Sequence, residues 1–474
     1  MGIFREYDIR GIVGSELTDD HAEQIGLAYA TLARGKGLKT VTVGRDGRLS
    51  SPALHGRLVK GLTEGGLDVV DLGACPTPLV YFSLFHLPVD GGIMITGSHN
   101  AADYNGFKLC VGKEALHGDG IQELRRIVER GQFASGRGTV SSRPIIPDYL
   151  AYLKQSFAHV RAGHLRVVID AGNGAASLVA GEAVAQLGCQ VTELYCDLDG
   201  RFPNHHPDPT VVENLKDLIR KVRETGAHVG IGYDGDADRI GAVDEKGNIL
   251  WGDRLLVIYA RDILAAQPGS TIISEVKASQ SLYDDVAKQG GRPIMWKTGH
   301  SLIKAKMKEE KAALAGEMSG HMFFADRYFG YDDAVYASCR LIEILAKGRK
   351  PLSSLVADLP PSCVTPEIRV DCPDSIKFQL VQQVQSKLVA TAQSQQPLDH
   401  TGLTIRNVVT IDGIRAIFDD GWGLIRASNT QPALVLRFEA STDTKLQAIR
   451  AAIEGELNRA RQALTGCGKA IFDP

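Results

Sequence analysis

Two stretches of this chain carry residue types that do chemistry: a hydroxyl beside a titratable ring, and a triplet of carboxylates. Thr96-Gly97-Ser98-His99-Asn100 follows the apolar run Gly92-Ile93-Met94-Ile95. A strand that runs into a glycine-containing polar loop presents side chains at the carboxyl edge of a sheet, where open α/β sheets bind ligands. Gly97 permits a sharp turn, and Ser98 then offers a hydroxyl next to His99. The second stretch, Asp234-Gly235-Asp236-Ala237-Asp238-Arg239, follows the strand-like run 228–233. Carboxylates at alternate positions converge when a loop curls round an ion, and hard oxygen ligands suit Mg²⁺. An EF-hand does not fit, because Arg239 stands where that loop needs glycine and a strand leads in. A solvated acidic turn is the plainer alternative, but three such carboxylates repel one another without a cation.

Other candidates share the position after a strand. Lys108 lies shortly after Ser98, where a lysine turning back would balance a phosphoserine. Strands ending at Lys277, at Lys297-Thr298-Gly299-His300 and at Gly316-Glu317-Met318-Ser319-Gly320-His321 all run into polar loops. Glu317 and Ser319 suit vicinal sugar hydroxyls, and His321 and Lys277 suit proton transfer. Arg426-Ala427-Ser428-Asn429-Thr430-Gln431 offers a guanidinium, two hydroxyls and an amide, a set suited to a dianionic phosphate. Tyr7 and Arg10, beside Gly11, add a phenol and a guanidinium near the start. Each taken singly is more often a structural residue; the shared position raises them together. Asp170-Ala171-Gly172-Asn173-Gly174 does not complete a dinucleotide fingerprint, so its glycines read as a tight turn and close packing.

The elements that must position these loops alternate. Helical spacing over Ala22, Ile25, Ala28 and Leu32 is followed by the strand 40–43, a helix opening at an N-cap Ser51 with Pro52, and a strand 67–72. A helix over 122–130 precedes a Gly- and Ser-containing stretch. Strands are expected at 166–169, 190–194, 228–233, 271–276, 292–296 and 312–315. This alternation predicts βαβ units with a parallel sheet. After Pro360-Pro361 the pattern changes to a helix at 379–388, close strands at 403–411, 414–418, 423–426 and 433–438, and a helix over 442–464. Close strands predict an antiparallel sheet with helices on one face. Boundaries fall at 1–145, 146–248, 249–360 and 361–474.

The 474 residues predict several domains, and 44% hydrophobic with 23% charged content is that of a soluble globular protein. A net charge of −3 provides no basic field for nucleic acid. Charges at the start stand where a signal peptide needs an apolar core, and no apolar run approaches a membrane span. The eight cysteines form no Cys-x-x-Cys pair and read as reduced thiols of a cytoplasmic protein.

Together and in order, these motifs resemble the α-D-phosphohexomutase superfamily, most nearly its bacterial phosphomannomutase/phosphoglucomutase branch. The resemblance implies an α/β fold: three related α/β domains with mixed, largely parallel sheets, plus a C-terminal α+β domain, around a central cleft. It implies interconversion of hexose 1-phosphate and hexose 6-phosphate, of mannose or glucose, through phosphorylated Ser98 and a bisphosphorylated sugar. Ser98, Asp234, Asp236 and Asp238 would hold Mg²⁺, and glucose 1,6-bisphosphate would serve as activator and intermediate. Ser98, His99, Lys108, Arg239, His321 and Lys277 would be catalytic. Tyr7, Arg10, Lys277, His300, Glu317, Ser319, Arg426, Ser428, Asn429 and Thr430 would bind substrate. A monomer or weak homodimer is expected, with hexose phosphates as partners. Ala101-Ala102 depart from the family, which often has prolines there. Rival readings are a phosphoglucosamine mutase, which Met318 disfavours on resemblance, a phosphatase with Asp234 as nucleophile, and a sugar-phosphate sensor.

Overall fold

The computed structural model describes residues 2–398, 401–429 and 431–465. The chain forms two compact units. One takes Met1–Ile273, Asp284–Ile294 and Gly299–Asp358; the other takes Ser274–Tyr283, Met295–Thr298 and Leu359–Pro474.

In the N-terminal sheet the strands run in the order Ile9–Ile12, Tyr104–Val111, Gly91–Ile95, Thr40–Arg45, Asp68–Ala74 and Val140–Ser142. Thr40–Arg45 pairs in parallel with Asp68–Ala74 and Gly91–Ile95. Tyr104–Val111 runs antiparallel to both of its long neighbours. The sheet is therefore mixed, where alternation alone predicts a parallel one. Lys108 sits on that antiparallel strand and is only 6% exposed, so it is not a solvated surface lysine. The core beneath combines strand residues such as Val41, Val43, Ile93 and Ile95 with helix residues such as Ile25, Leu54, Leu58 and Leu62.

Helix Asp19–Gly35 starts at Thr18, whose side chain accepts from His21 N while the His21 ring accepts from Thr18 N. It crosses helix Ser51–Glu64 at two glycines. A Cβ on Gly26 would stand 2.4 Å from Leu58 O, and one on Gly61 would stand 2.2 Å from Glu23 O. The second helix begins one residue earlier than expected. Ser50 is its N-cap, and Ser51 instead donates its hydroxyl to Asp46 Oδ1 at 2.6 Å.

The second sheet runs Ile249–Leu250, Ile240–Asp244, Val229–Tyr233, Arg166–Asp170, Gln190–Leu194, and the third runs Arg292–Trp296, Thr271–Glu275, Leu314–Gly316, Met322–Phe324. One topological device recurs in all three sheets. A strand inside the sheet runs into a polar loop, and the chain returns as its antiparallel neighbour. This happens from Gly91–Ile95 to Tyr104–Val111, from Val229–Tyr233 to Ile240–Asp244, and from Leu314–Gly316 to Met322–Phe324. The serine loop, the carboxylate loop and the Glu317 loop thus hold equivalent places in three related sheets. The Asp170–Gly174 turn serves close packing, as expected. Gly172 takes a φ of +51°, and Gly174 lies where a Cβ would be 2.8 Å from Gly235 O.

In the other unit the sheet is antiparallel: Cys363–Val364, Ala433–Ala440, Gly421–Ala427, Ile414–Phe418, Asn407–Val409, with Ile368–Asp371 also on Ala433–Ala440. Helices Asp374–Ser394 and Asp443–Thr465 supply Leu380, Val384, Leu388, Ile449 and Ile453 to its core. Two differences from the sequence pattern stand out. The expected strand 403–411 is broken into Leu403–Thr404 and Asn407–Val409. Short strands at 363–364 and 368–371, which the sequence pattern did not predict, lie among Pro361, Pro366 and Pro373. Among the described residues no helix is long and apolar enough to cross a membrane.

Candidate active site

Ser98 sits at the head of its loop in a left-handed backbone conformation, φ +50°, which a non-glycine residue adopts only under constraint. Its N–H donates to Thr96 Oγ1 at 2.8 Å. Its Oγ lies 3.1 Å from His99 Nδ1 and 3.3 Å from Asp234 Oδ2. Burial, then the nearby Arg239, Arg10 and Lys108 charges, push the His99 pKa well below the usual histidine range. Arg10 reaches the same loop, donating to Asn100 Oδ1 at 2.7 Å while pairing with Asp8.

Asp234, Asp236 and Asp238 are fully buried, and oxygens of the three lie within 4.8 Å of one another. Asp234 Oδ1 accepts from the main-chain N–H of Asp238 and of Arg239, each at 3.1 Å. Lys108 Nζ donates to Asp236 Oδ2 at 2.7 Å and to Asp238 Oδ2 at 2.5 Å. Burial opposes the Lys108 ammonium, but the two carboxylates outweigh it and hold its pKa above the ordinary lysine value. Burial and the Asp238 and Asp236 charges push the Asp234 carboxyl well above the usual carboxylate range. Asp236 Oδ1 and Asp238 Oδ1 find no hydrogen-bond partner among the described residues. Unsatisfied buried carboxylate oxygens around a shared point, partly neutralised by an ammonium, fit a hard divalent cation.

Arg239 and His321 are joined twice. Their main chains form an antiparallel bridge, and Arg239 Nε donates to His321 Nε2 at 3.0 Å. On the other side of the ring, His321 Nδ1 lies 2.9 Å from Asp332 Oδ2. Lys304 Nζ also donates to Asp332, at 3.0 Å. Glu317 Oε1 accepts from Gly299 N at 2.7 Å. Gly299, at φ +129°, leaves room for the Tyr7 ring, which a Cβ there would meet at 2.5 Å. The His300 ring packs edge-on to Tyr7 and stacks on His321, with centroids 6.0 and 5.5 Å apart. Ser319 and Met318 line a small cavity with Thr210 and Trp251. The fold of this unit therefore collects Tyr7, Arg10, Ser98, His99, Lys108, the three aspartates, Arg239, His300, Glu317 and His321 along a chain of contacts.

Lys277, Arg426, Ser428 and Asn429 belong to the other unit, and Thr430 lies outside the described residues. Lys277 Nζ stands 2.9 Å from Glu367 Oε2 and 3.6 Å from Glu275 Oε1. Burial lowers its pKa, but these carboxylates prevail and raise it. Arg426 Nε donates to Asp412 Oδ2 at 2.9 Å. Lys377, on helix Asp374–Ser394, donates to Ser428 O at 2.6 Å and Gln431 O at 2.9 Å. Arg415 donates to Val276 O and Ala278 O at 2.8 and 2.7 Å and lies 3.8 Å from the centre of the Trp422 ring.

Sequence reasoning missed these supports: Asp332, Lys304, Glu367, Asp412, Lys377, Arg415 and Arg48. Most of them grip main-chain carbonyls or other side chains far along the chain, and neither kind of contact leaves a local signature. Arg48, Asp332, Lys377 and Arg415 are buried charges, whereas Lys304, Glu367 and Asp412 are half-buried.

Comparison with known proteins covers almost the whole chain. Residues 1–135, 147–247 and 251–363 match the phosphoglucomutase/phosphomannomutase alpha/beta/alpha domains I, II and III, and residues 367–456 match the C-terminal domain of the same family. A phosphomannomutase/phosphoglucomutase of Pseudomonas aeruginosa is 44% identical over 462 residues, covering 98% of this chain and 96% of that one. A phosphoglucomutase of Neisseria gonorrhoeae is 46% identical over 451 residues, covering 94% and 95%. The crystal structure of a phosphoglucomutase/phosphomannomutase family protein from Burkholderia thailandensis superposes with a TM-score of 0.89 at 41% identity, covering 99% of each chain.

Proposed function

Because this chain belongs to the phosphoglucomutase/phosphomannomutase family and is a phosphohexomutase, we propose that it works through phosphorylated Ser98. In this reading the Oγ–P bond of phospho-Ser98 breaks as a new O–P bond forms to a free sugar hydroxyl. The proton of that hydroxyl passes to a protein base. The bisphosphorylated sugar then turns round and returns its other phosphoryl group to Ser98. Glucose 1,6-bisphosphate is both such an intermediate and the activator that first loads the serine.

One observation carries the reading: Ser98 Oγ lies 3.3 Å from Asp234 Oδ2, beside a buried carboxylate triad that already holds a cationic group, Lys108. Asp234, Asp236 and Asp238, with Ser98, would hold Mg²⁺, which neutralises charge on a transferring phosphoryl group. Lys108 and Arg239 add fixed positive charge at the same place. Glu317 and Ser319 take the sugar hydroxyls. Arg426, Ser428, Asn429 and Thr430, with Tyr7, Arg10 and His300, hold the substrate and its unreacting phosphate. Of the two proton carriers considered, Lys277 is the acid, since its carboxylate neighbours keep it protonated. His321, with Asp332 beside Nδ1, is the base once Nε2, which accepts from Arg239 Nε in this structure, turns its lone pair to the sugar hydroxyl. The same reading divides the chain at 145, 248 and 360, and puts a monomer or weak homodimer in the cytoplasm.

Intact mass and peptide mapping after incubation with Mg²⁺ and glucose 1,6-bisphosphate test this. One phosphoryl group on Ser98, discharged by hexose 6-phosphate, is expected, with Ser98→Ala inactive. Label on Asp234 with net hydrolysis would replace the mutase mechanism by a phosphatase one. Competition among mannose, glucose and glucosamine phosphates then orders the substrates.

A further inference from the structure

The serine loop is built round a side chain that takes no part in the chemistry above. Arg48 is 1% exposed, in the turn Asp46-Gly47-Arg48 that follows strand Thr40–Arg45. A guanidinium has five N–H groups in one plane, and all five are used here. Nε donates to Asp46 Oδ2 at 3.2 Å. Nη2 donates to Ser98 O at 2.8 Å and Asn100 O at 2.6 Å. Nη1 donates to Tyr104 O at 2.9 Å and to Ala101 O. Four carbonyls of a single loop thus converge on one cation. Asp46 completes the arrangement by accepting from Gly97 N at 3.3 Å. Gly97 is required for the same reason, because a Cβ there would stand 2.5 Å from Arg48 Cζ.

The left-handed backbone of Ser98 has to be held by something. A loop free to relax would return a non-glycine residue to negative φ. Gathering the carbonyls of 98, 100, 101 and 104 onto one rigid fork fixes the path on both sides of Ser98. The fork is itself clamped from the loop after the second sheet's strand Gln190–Leu194. Phe202 lies 5.2 Å from Arg48 Cζ, and a Cβ on Gly200 would stand 2.4 Å from Gly47 O.

We propose that Arg48 is the positioning residue of the phosphate-carrying serine, holding Ser98 Oγ in line for transfer without touching substrate. The proposal rests on the Ser98 reading above. Lysine keeps the charge but offers at most three donors from one point. Arg48→Lys therefore leaves carbonyls of the loop unsatisfied and lets Ser98 drift. Misplacement of about 1 Å at a reacting group lowers rate by about 100-fold.

The test compares wild-type and Arg48→Lys enzyme, both with Mg²⁺. Three quantities are read: the rate of Ser98 phosphorylation by glucose 1,6-bisphosphate, kcat and KM for hexose phosphate, and amide exchange across 97–106. The expected result is a loss of about 100-fold in kcat and in the phosphorylation rate, KM changed by less than about 3-fold, and faster exchange confined to that loop. Folded Arg48→Lys enzyme that phosphorylates Ser98 at the wild-type rate overturns the proposal, as does a loss of rate that only tracks the unfolded fraction. If Arg48→Lys does not accumulate folded, Phe202→Leu reads the same clamp. A several-fold slower phosphorylation with KM kept supports the proposal, and an unchanged rate overturns it. Wild-type enzyme that is not labelled at Ser98 overturns the serine reading itself, whereas labelled wild type beside an equally fast Arg48→Lys overturns only the role of Arg48.

Discussion

Glu367 sits against the buried ammonium of Lys277, and its own protonation reports on that pair. Burial alone would raise its pKa, but Lys277 and then Arg369 outweigh burial and pull it from 4.5 to about 2. Between these values the unfolded chain binds the extra proton. The stabilisation is therefore whole above the unfolded pKa and is lost as pH falls toward the folded one. With Glu367 only 26% exposed, the pair contributes on the order of 2 kcal/mol at neutral pH. Urea unfolding of Glu367→Gln should show that deficit at pH 7, shrinking as the pH is lowered from about 5 to about 2. A deficit that stays constant with pH would mean Glu367 is not ionically coupled to Lys277. Residue type alone pointed to Ser98, the three aspartates, Glu317 and Arg426, because nucleophile, ligand and phosphate chemistry demand those groups. Glu367, Asp412 and Arg48 stayed hidden, because their partners lie far along the chain or are main-chain carbonyls.

At the scale of elements, buried cations hold the polar loops in shape. Arg48 gathers the serine loop, Lys377 binds the carbonyls of Ser428 and Gln431, and Arg415 grips the main chain on both sides of Lys277. Loops carry too few internal hydrogen bonds to keep one geometry, and a buried donor with several carbonyl acceptors supplies what strand pairing supplies elsewhere. The helices are held by shape. Helices Asp19–Gly35 and Ser51–Glu64 approach so closely that Gly61 has Glu23 O where its Cβ would go, at 2.2 Å. Gly61→Ala gains helix propensity but forces the pair apart. It should lower stability by about 1–3 kcal/mol, read as an earlier urea midpoint with unchanged slope. An unchanged midpoint would show that the crossing yields without strain. The alternation of strands and helices was legible because apolar periodicity is local. The antiparallel return strand Tyr104–Val111 was not, since strand direction depends on which edge the chain rejoins.

For the molecule as a whole, charge dominates the carboxylate loop. Lys108 meets two of the three buried aspartates and Arg239 Nε lies 3.9 Å from the third, so a divalent cation relieves repulsion among carboxylates that these side chains only partly neutralise. Mg²⁺ should raise the melting temperature, by an amount corresponding to about 2.7 kcal/mol at 100 times its Kd, and EDTA should reverse it. Asp238→Asn should largely remove the Mg²⁺ increment, as measured by calorimetry with and without the ion. An increment that survives in Asp238→Asn would place the cation elsewhere. The chain by itself determined the chemistry available: which loops carry a nucleophile, metal ligands, sugar donors and a phosphate-binding guanidinium, and that helices and strands alternate before a different last domain. These follow from side-chain type and local periodicity, which sequence displays directly. Only the tertiary structure decided that three of those loops hold the same place, between a strand and its antiparallel neighbour, in three sheets, that Lys108 points inward to two aspartates, and that Arg48 stands behind Ser98. Those facts depend on contacts between residues about 50 to 130 positions apart, and such contacts exist only once the backbone has closed.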